Sequence, residues 1–404
     1  MGKSAFLPVD ILLPVRADMQ DWSVIACDQF TSERDYWDRV RARTDEKLST
    51  YHMILPEAYL GDVSPQDMAV SVNATMTRYL EDGVFETLTD SFVYVEREVS
   101  GGVRRGLVGA LDLDAYDYSA LSASPVRASE RTVEERLPAR VQIRENAPLE
   151  LPHVMVLMDD PDRTVVEPLA QKTEGLRELY DFELMEGGGR IRGWQVNGED
   201  LKPVTAALER LAEREIQLVI GDGNHSLAAA KELWKRLKPT LTPEEARRHP
   251  ARYALVELNN VYDSGVVFEP IHRVVFDTDP GKLLEVLRTK LAHADGREIE
   301  YVLNGQKAGK LHIRGKSFGG MIELLQGFLE EYAAMSDGEV DYIHDEASLL
   351  KLTEAPDSIG FLLPGMDKSE LFRTVAGDGV FPKKSFSIGH ARDKRYYLEC
   401  RKIK

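Results

Sequence analysis

The turn Gly221-Asp222-Gly223-Asn224-His225-Ser226 concentrates the residue types that could do chemistry. It follows residues 216–220, whose apolar, β-branched character is typical of a buried strand. Its two glycines allow a sharp change of direction that other residues resist. Asp222 could accept a proton from an attacking hydroxyl or hold a divalent cation, and His225 could donate to a phosphate oxygen or shuttle a proton near neutral pH. We therefore predict that Asp222 and His225 are catalytic and that Asp222 is also a metal ligand.

The residues after the turn predict a helix whose N-terminus lies at the same place. From Asn224 onward, Leu227, Ala230 and Trp234 recur at helical spacing. A helix N-terminus presents N–H donors without partners inside the helix and a partial positive charge of roughly half a unit, so it favours an anion such as phosphate. The predicted phosphate-binding residues are Gly221, Gly223, Asn224 and Ser226.

Ordinary helix capping would explain the same turn without a ligand. Asp222 or Asn224 could satisfy the first-turn amides, as such residues commonly do. The clustering of Asp, His and Ser in a two-glycine turn favours a ligand site, because open α/β sheets bind their ligands at strand ends. Both interpretations remain open on the turn alone.

A second group of candidates lies outside the turn, in a polar loop, a short strand-like segment and a basic turn. Such positions could line a pocket and supply positive charge to an anionic substrate. An exposed strand end or a solvated turn would carry the same residue types. The predicted substrate-binding residues are Arg131, His272, Arg273, Lys383, Lys384 and Ser385.

Composition restricts the class of protein. The chain has 404 residues, 43% hydrophobic and 29% charged, as folded globular proteins do. Its formal net charge of −17 opposes binding to phosphate backbones and anionic membranes. Cys27 and Cys400 have no close cysteine neighbour, so zinc-binding motifs have no support, and no segment is apolar enough to span a bilayer. We expect a cytoplasmic protein that binds neither nucleic acid nor membrane.

The pattern of elements predicts a mixed α/β protein, α/β with α+β parts. Strands are expected at residues 92–97, 105–111, 154–158 and 395–400, a short strand ending at 53–56, and helices at 31–48, 65–79, 203–214, 280–291 and 319–335. Thr31 or Ser32 is the expected cap of the first helix. We predict an N-terminal α+β subdomain over 1–120, a central α/β core over 121–290 that contains the turn, and a C-terminal α+β subdomain over 291–404.

Several stretches together resemble the domain-of-unknown-function family 1015, over nearly the whole chain. In order along the sequence they are Met53-Ile54-Leu55-Pro56-Glu57, Leu151-Pro152-His153 through Asp160, Asp222-Gly223-Asn224-His225, Glu269-Pro270-Ile271-His272-Arg273 and Pro382-Lys383-Lys384-Ser385. The family's central turn usually reads Asp-Gly-His-His-Arg. Here Ser226 stands in place of the arginine, which removes a bidentate phosphate donor.

That central turn in turn resembles the phosphate-contacting motif of the ParB and sulfiredoxin superfamily, some of whose members are free-serine kinases that use ATP or ADP. The resemblance implies a ParB/sulfiredoxin-like core and a nucleotide-dependent phosphotransferase that uses Mg²⁺ and ATP or ADP on a small, serine-like hydroxyl metabolite. Asp222 matches the position of the base. The alternatives are a non-catalytic nucleotide- or metabolite-binding regulatory module and a phosphoester hydrolase. A homodimer is left open.

Overall fold

Two sets of elements separate in the structure, a computed structural model that describes residues 2–315 and 317–404. Unit 1 comprises the residues up to Ala128, Thr132–Val267 and Gly389–Lys404. Unit 2 comprises Ser129–Arg131 and Phe268–Ile388. The mixed α/β class that the sequence predicts is confirmed. The ParB/sulfiredoxin likeness and the three-part division of the chain stay predictions.

The strands of the described residues fall in unit 1 except for the seven strands β14 to β20, which belong to unit 2. Strands β1 to β22 are, in chain order, Phe6–Leu7, Val9–Pro14, Val24–Ile25, Phe85–Val99, Gly102–Asp112, Tyr116–Asp117, Val126–Ala128, Leu149–Glu150, Met155–Met158, Arg177–Glu183, Arg190–Val196, Leu218–Asp222, Tyr253–Asn260, Phe268–Pro270, His272–Phe276, Ala292–Leu303, Gln306–Ile313, Glu339–Ile343, Ile359–Leu362, Phe386–Ile388, Tyr396–Tyr397 and Arg401–Lys402.

The α-helices of the described residues divide in the same way, with α1 to α7 in unit 1 and α8 to α11 in unit 2. Helices α1 to α11 are Met19–Trp22, Arg34–Thr44, Pro65–Glu81, Leu137–Glu145, Leu201–Leu211, Asn224–Leu237, Pro243–Arg248, Pro280–Leu291, Phe318–Met335, Glu346–Leu352 and Glu370–Gly377. None of the helices in these described ranges combines the length and the apolar character needed to cross a bilayer.

Unit 1 is built on a mixed sheet with the strand order β10-β11-β4-β5-β13-β9-β12-β7-β6, to which β1 and β2 add at β5 and β4. Alternate residues of its strands enter two apolar clusters, because successive side chains of a strand point to opposite faces. Phe92 and Tyr94 pack in one cluster with the apolar faces of α5 and α6. Val93 and Val95 pack in the other with Tyr36 and other residues of α2. Both faces of the sheet are therefore covered.

Unit 2 contains a five-stranded sheet with the order β17-β16-β19-β15-β18, and α8 to α11 accompany it. The separate two-stranded ribbon of β14 and β20 brings two of the recognised sequence stretches together, since Glu269 pairs with Ser387 and Pro270 with Phe386. The predicted helices at 280–291 and 319–335 are confirmed as α8 and α9.

Three local predictions are wrong. Residues 50–53 form a 3₁₀-helix instead of a strand end, because the Ser49 hydroxyl accepts from the Tyr51 amide and caps a turn there. Helix α2 starts at Arg34 with Glu33 as its cap residue and no side-chain cap hydrogen bond, so neither Thr31 nor Ser32 caps it. The final stretch is divided between β21 and β22, which pair with β3 and β8 respectively.

Candidate functional site

The strand register places the turn beside two other segments of unit 1. In the antiparallel pair β9–β12, Asp222 lies opposite Met155, and in the parallel pair β9–β13, Met155 lies opposite Glu257. Because β9 runs against β12, the residues that precede Met155 lie next to the residues that follow Asp222. The register shifts between Ile220 and Asp222, at Gly221. The sheet thereby brings His153 and the turn to one edge.

Gly223 makes the turn from β12 into α6. Its backbone is left-handed, with φ +80°, which glycine adopts without steric cost. A Cβ atom at this position would lie 3.0 Å from Cα of Val154. No side chain caps α6 at Gly223, and the Leu227 N–H donates to the Gly223 carbonyl over 3.1 Å. The predicted strand, turn and helix are confirmed as elements.

The two oxygens of the Asp222 carboxylate have different partners. Oδ1 accepts from the Gly223 N–H over 3.0 Å, a contact that the capping interpretation explains. Oδ2 lies 3.1 Å from Nζ of Lys394, a contact that capping does not require. The Asp222 side chain is 29% exposed and that of Lys394 10%. An ion pair with solvent access on the carboxylate side therefore stands at the start of α6.

Buried arginines fix the backbone that carries Lys394. The guanidinium of Arg97 donates to the Lys394 carbonyl over 2.5 Å and to the Gly188 carbonyl over 3.0 Å. Arg104 donates to the Asp393 carbonyl over 2.8 Å. Burial and the neighbouring charge of Arg104 lower the pKa of Arg97 to about 9, so it remains cationic at neutral pH. Two buried arginines thus donate to the backbone carbonyls of Asp393 and Lys394 and fix this segment.

The residue after Lys394 is anchored as well. Arg395 is buried and forms ion pairs with Glu257 and Glu399. Burial disfavours the charged form of Glu257, but Arg395 and Arg104 lower its pKa to about 2. Glu257 lies opposite Met155, which in turn lies opposite Asp222 on the next strand. The ion pair of Arg395 with Glu257 therefore helps to place the neighbouring Lys394 at the turn.

His153 and Asp28 complete a group of polar side chains near the turn. His153 Nε2 and Ser226 Oγ are 2.8 Å apart. Burial lowers the pKa of His153, although the carboxylates of Asp28 and Asp222 act in the opposite direction. The pKa of Asp28 is lowered against the effect of its own burial by His153, by a hydrogen bond from Gln29 and by Lys394. The His153 imidazole therefore lies among two carboxylates and an ammonium.

The other predicted residues of the turn are partly enclosed. Gly221, Gly223, His225 and Ser226 are half-buried, and Asn224 is buried. His225 Nε2 accepts from the Val133 N–H over 3.2 Å, so the proton of the neutral ring lies on Nδ1. The roles assigned to these residues stay predictions.

A cavity of about 190 Å³ adjoins the turn on the side of Ser226. Two of the sequence stretches that carry the family resemblance line it together with Ser226. They contribute residues 53–55 and 57, and residues 151 and 153. Stretches that are far apart in the sequence thus meet around one hollow of unit 1.

The predicted substrate-binding residues all lie in unit 2. Arg273 is buried and donates to the carbonyl of Lys384 over 2.9 Å and to Oε1 of Gln326 over 3.0 Å. His272 is buried and its Nδ1 accepts from the Leu363 N–H over 3.1 Å. Their partners give both residues a part in the packing of unit 2, and their substrate role stays a prediction.

The remaining candidates of unit 2 are mostly at its surface. Arg131 is exposed and lies 3.7 Å from Glu323, and Lys383 is exposed and lies 3.7 Å from Glu330. Lys384 is exposed with φ +61°, whereas Ser385 is buried and donates to the Pro382 carbonyl over 2.8 Å. Their role in substrate binding also stays a prediction.

The described residues contain no group of three or more His, Cys, Asp or Glu side chains arranged to hold a metal ion. At the turn, one Asp222 oxygen already faces the Lys394 ammonium, which repels a cation. The side chains present do not fit a resident Mg²⁺ ion. Mg²⁺ commonly binds through one or two carboxylates together with substrate phosphates, so Asp222 as a ligand stays a prediction tied to the nucleotide.

Lys394, Asp28 and His153 are the members of the site that the sequence did not single out. His153 lies in one of the recognised stretches, which could have indicated it. Asp393-Lys394-Arg395 is a charged run directly before the apolar Tyr396-Tyr397-Leu398, a pattern that suggests buried charge. Asp28 has no comparable signal in the sequence.

The fold has similarity to several solved structures at low sequence identity. A conserved hypothetical protein from Pyrococcus furiosus is 13% identical, with a TM-score of 0.34, over 73% of this chain and 94% of that chain. A free serine kinase variant in complex with AMP is 12% identical, with a TM-score of 0.39, over 73% and 90%. SbnI with a C-terminal truncation, from Staphylococcus aureus, is 10% identical, with a TM-score of 0.36, over 70% and 82%.

The sequence comparisons point to a family whose activity is undefined. No curated protein matches the chain significantly. A family model described as "Protein of unknown function (DUF1015)" matches residues 10–372.

Proposed function

The chain belongs to the DUF1015 family of proteins of unknown function, and from that premise we propose that it is a nucleotide-dependent phosphotransferase that acts on a small hydroxyl-bearing metabolite. The observation that carries the proposal is the Asp222 carboxylate. It is partly exposed, is paired with the ammonium of Lys394 and stands where helix α6 begins. A base, a cation and a helix N-terminus are the groups that phosphoryl transfer needs in one place.

In the proposed reaction, the acceptor hydroxyl oxygen attacks the terminal phosphorus of ATP or ADP. A new O–P bond forms, and the bond from phosphorus to the bridging oxygen breaks. The bridging oxygen keeps the electron pair and leaves as ADP or AMP. The hydroxyl proton passes to the Asp222 carboxylate and then to water. Asp222 therefore acts as the base that orients and deprotonates the acceptor.

The remaining groups stabilise negative charge. The Lys394 ammonium, 10% exposed, would contact a phosphate oxygen at higher effective strength than in water, because burial reduces screening. The amides from Asn224 to Ser226 would hold the phosphate at the start of α6, next to the Gly223 amide that donates to Asp222 Oδ1. His225 would assist the transfer, by donating to a phosphate oxygen or by shuttling a proton. Gly221 and Asn224 would shape the turn around that phosphate. Mg²⁺ would enter with the nucleotide and neutralise phosphate charge.

Product formation tests the proposal directly. The purified chain is incubated with ATP or ADP, Mg²⁺ and a panel of amino acids and sugars, and phosphorylated product is followed by ³¹P NMR. Asp222→Asn should reduce the rate by at least about 100-fold, since losing one preorganised catalytic group costs that much or more. The control is Asp279→Asn, which makes the same change at the cap of α8, where Asp279 Oδ1 accepts from the Lys282 N–H. The control should keep full activity.

The two alternative functions give different results in the same experiment. Nucleotide binding without turnover would indicate a regulatory binding module. Phosphate release in the absence of any acceptor would indicate a phosphoester hydrolase. Product formation that Asp222→Asn leaves unchanged would contradict the proposed base.

A further inference from the structure

The cavity beside Ser226 is lined mainly by hydrocarbon. Its wall includes Ile54, Leu55, Met76, Ile143 and Ala229. At about 190 Å³ it is smaller than the roughly 300–1,000 Å³ of pockets that hold drug-sized ligands. It is therefore suited to a short aliphatic group.

Each charged group on the same wall has an ion-pair partner. Arg140 pairs with Glu57, and Glu150 pairs with both Arg144 and Arg401. A ligand that carried a charge into this cavity would have to displace one of these pairs or remain uncompensated against an apolar wall, which costs free energy. The wall favours an uncharged ligand group.

The thiol at the cavity is also neutral. The Tyr397 hydroxyl lies 3.1 Å from Sγ of Cys27. Burial and the charge of Asp28 raise the pKa of Cys27 to about 12, so it is a thiol at neutral pH and not a nucleophilic thiolate. The Cys27 thiol and the Tyr397 hydroxyl are engaged with each other, so this part of the wall adds no ionised group to the cavity.

One end of the cavity adjoins the turn. Ser226 and His153 line it, and their side chains are hydrogen-bonded to each other. Ser226 lies in the first turn of α6, and the charge of Asp222 acts on His153. A ligand that filled the cavity would therefore place its polar end at Ser226 and His153, on the side of the turn.

We propose that this cavity binds a short, uncharged hydrocarbon portion of the phosphate acceptor, so that the acceptor is a small alcohol with a neutral aliphatic tail. The role of the acceptor's hydroxyl rests on the proposed function. The inference concerns the tail at the other end of the acceptor, whose binding can be measured separately.

Binding of a straight-chain alcohol series tests the tail without any need for catalysis. Titration calorimetry of the full chain is carried out with 1-propanol through 1-octanol. Affinity should rise about fourfold with each methylene until the cavity is full, and then level off. The matching hydroxycarboxylates, whose tails end in a charge, should bind at least about tenfold more weakly than alcohols of the same length.

Two variants change the cavity in opposite ways. Ala139→Leu adds bulk from α4 at a half-buried lining position and should abolish the rise in affinity with chain length. Leu60→Ser removes hydrocarbon from a lining side chain that is 40% exposed. It should lower the affinity for the longer alcohols and have little effect on folding. The matched control is Ala206→Leu at an exposed position of α5, which should leave the series unchanged.

The outcomes separate this inference from the proposed function. Affinity that does not depend on chain length, or that is the same in Ala139→Leu, overturns the inference. A second arm adds ATP or ADP and follows alkyl phosphate by ³¹P NMR. Chain-length-dependent binding without any alkyl phosphate supports the ligand class of the cavity and contradicts the phosphotransferase. Alkyl phosphate formation at rates independent of chain length does the reverse.

Discussion

The ammonium of Lys394 lies 3.1 Å from Oδ2 of Asp222, although the two residues come from distant parts of the chain. Asp222 ends β12, an interior strand of the unit 1 sheet, and Lys394 follows a 3₁₀-helix at residues 391–393. The strand row through Met155 and Glu257 brings these segments together. The pair gives the helix N-terminus a neighbouring positive charge in a turn that has Ser226 where the resembled family motif has an arginine.

Replacing Lys394 tests whether that charge serves phosphate. Lys394→Met keeps the length of the side chain and removes the ammonium. Phosphoryl transfer should fall by at least about 100-fold, because a preorganised cationic donor is lost. The free energy of unfolding should fall by only about 1 kcal/mol, since the Asp222 carboxylate remains partly hydrated. The first quantity is measured by ³¹P NMR and the second by urea denaturation.

The matched control for this variant is Lys238→Met. Lys238 also forms an ion pair, with Nζ 2.8 Å from Oδ1 of Asp114, but its side chain is 49% exposed. The Lys238→Met variant should retain full turnover. Equal turnover in the two variants would show that the Lys394 charge has no part in the reaction.

Arg97 should matter because it holds the backbone around Lys394. Arg97→Lys keeps a positive charge, but an ammonium cannot satisfy the carbonyls of Arg392, Lys394 and Gly188 at once, as the planar guanidinium does. Leaving buried carbonyls without donors should lower the free energy of unfolding by about 2–4 kcal/mol in urea denaturation. The comparison variant is Arg192→Lys, whose exposed side chain pairs with Glu96 and should cost less than about 1 kcal/mol. A similar small loss in both would refute the anchoring role.

The part of the site that the sequence predicts is the part that is local. Residues 216–237 contain a β-branched run, a two-glycine turn and a helical period in succession. The local sequence is therefore enough to predict the strand, the turn and the helix. The structure has β12, the left-handed Gly223 and α6 in that order. Most long helices follow from the same kind of periodicity. Such features depend on few long-range contacts.

The remaining members of the site depend on tertiary structure. Lys394 reaches the turn through the buried ion pair of Arg395 with Glu257, and no local pattern specifies that partner. Arg273 shows that the same difficulty also affects a residue that the sequence does single out. Its residue type suggested a substrate contact, yet its burial in unit 2 and its bonds to Gln326 and Lys384 could not be read from the sequence. Burial of a charge is decided by its partners.

Gly223 offers a test of the turn geometry. Gly223→Ala should lower the free energy of unfolding by about 2–3 kcal/mol, because it adds a left-handed backbone strain of about 1 kcal/mol or more and a contact 3.0 Å from Cα of Val154. Gly198→Ala isolates the first effect, since Gly198 has φ +54° and no atom lies within 4 Å of the position that its Cβ would take. It should cost about 1–2 kcal/mol. Equal losses in urea denaturation would mean that the close approach of Val154 has no energetic effect.

His272 should make the stability of the protein depend on pH. Burial, assisted by the charge of Arg273, lowers its pKa from 6.5 to about 4 in the folded state, so the unfolded chain binds the proton first as the pH falls. Its contribution is complete above pH 6.5 and is lost as the pH decreases toward about 4, amounting to between about 1 and 3 kcal/mol. His272→Asn removes the titration while its side-chain oxygen can still accept from the Leu363 N–H. Urea denaturation from pH 4 to 7.5 should therefore give a flatter profile for this variant than for the exposed-site control His293→Asn, and identical profiles would exclude His272 as the source.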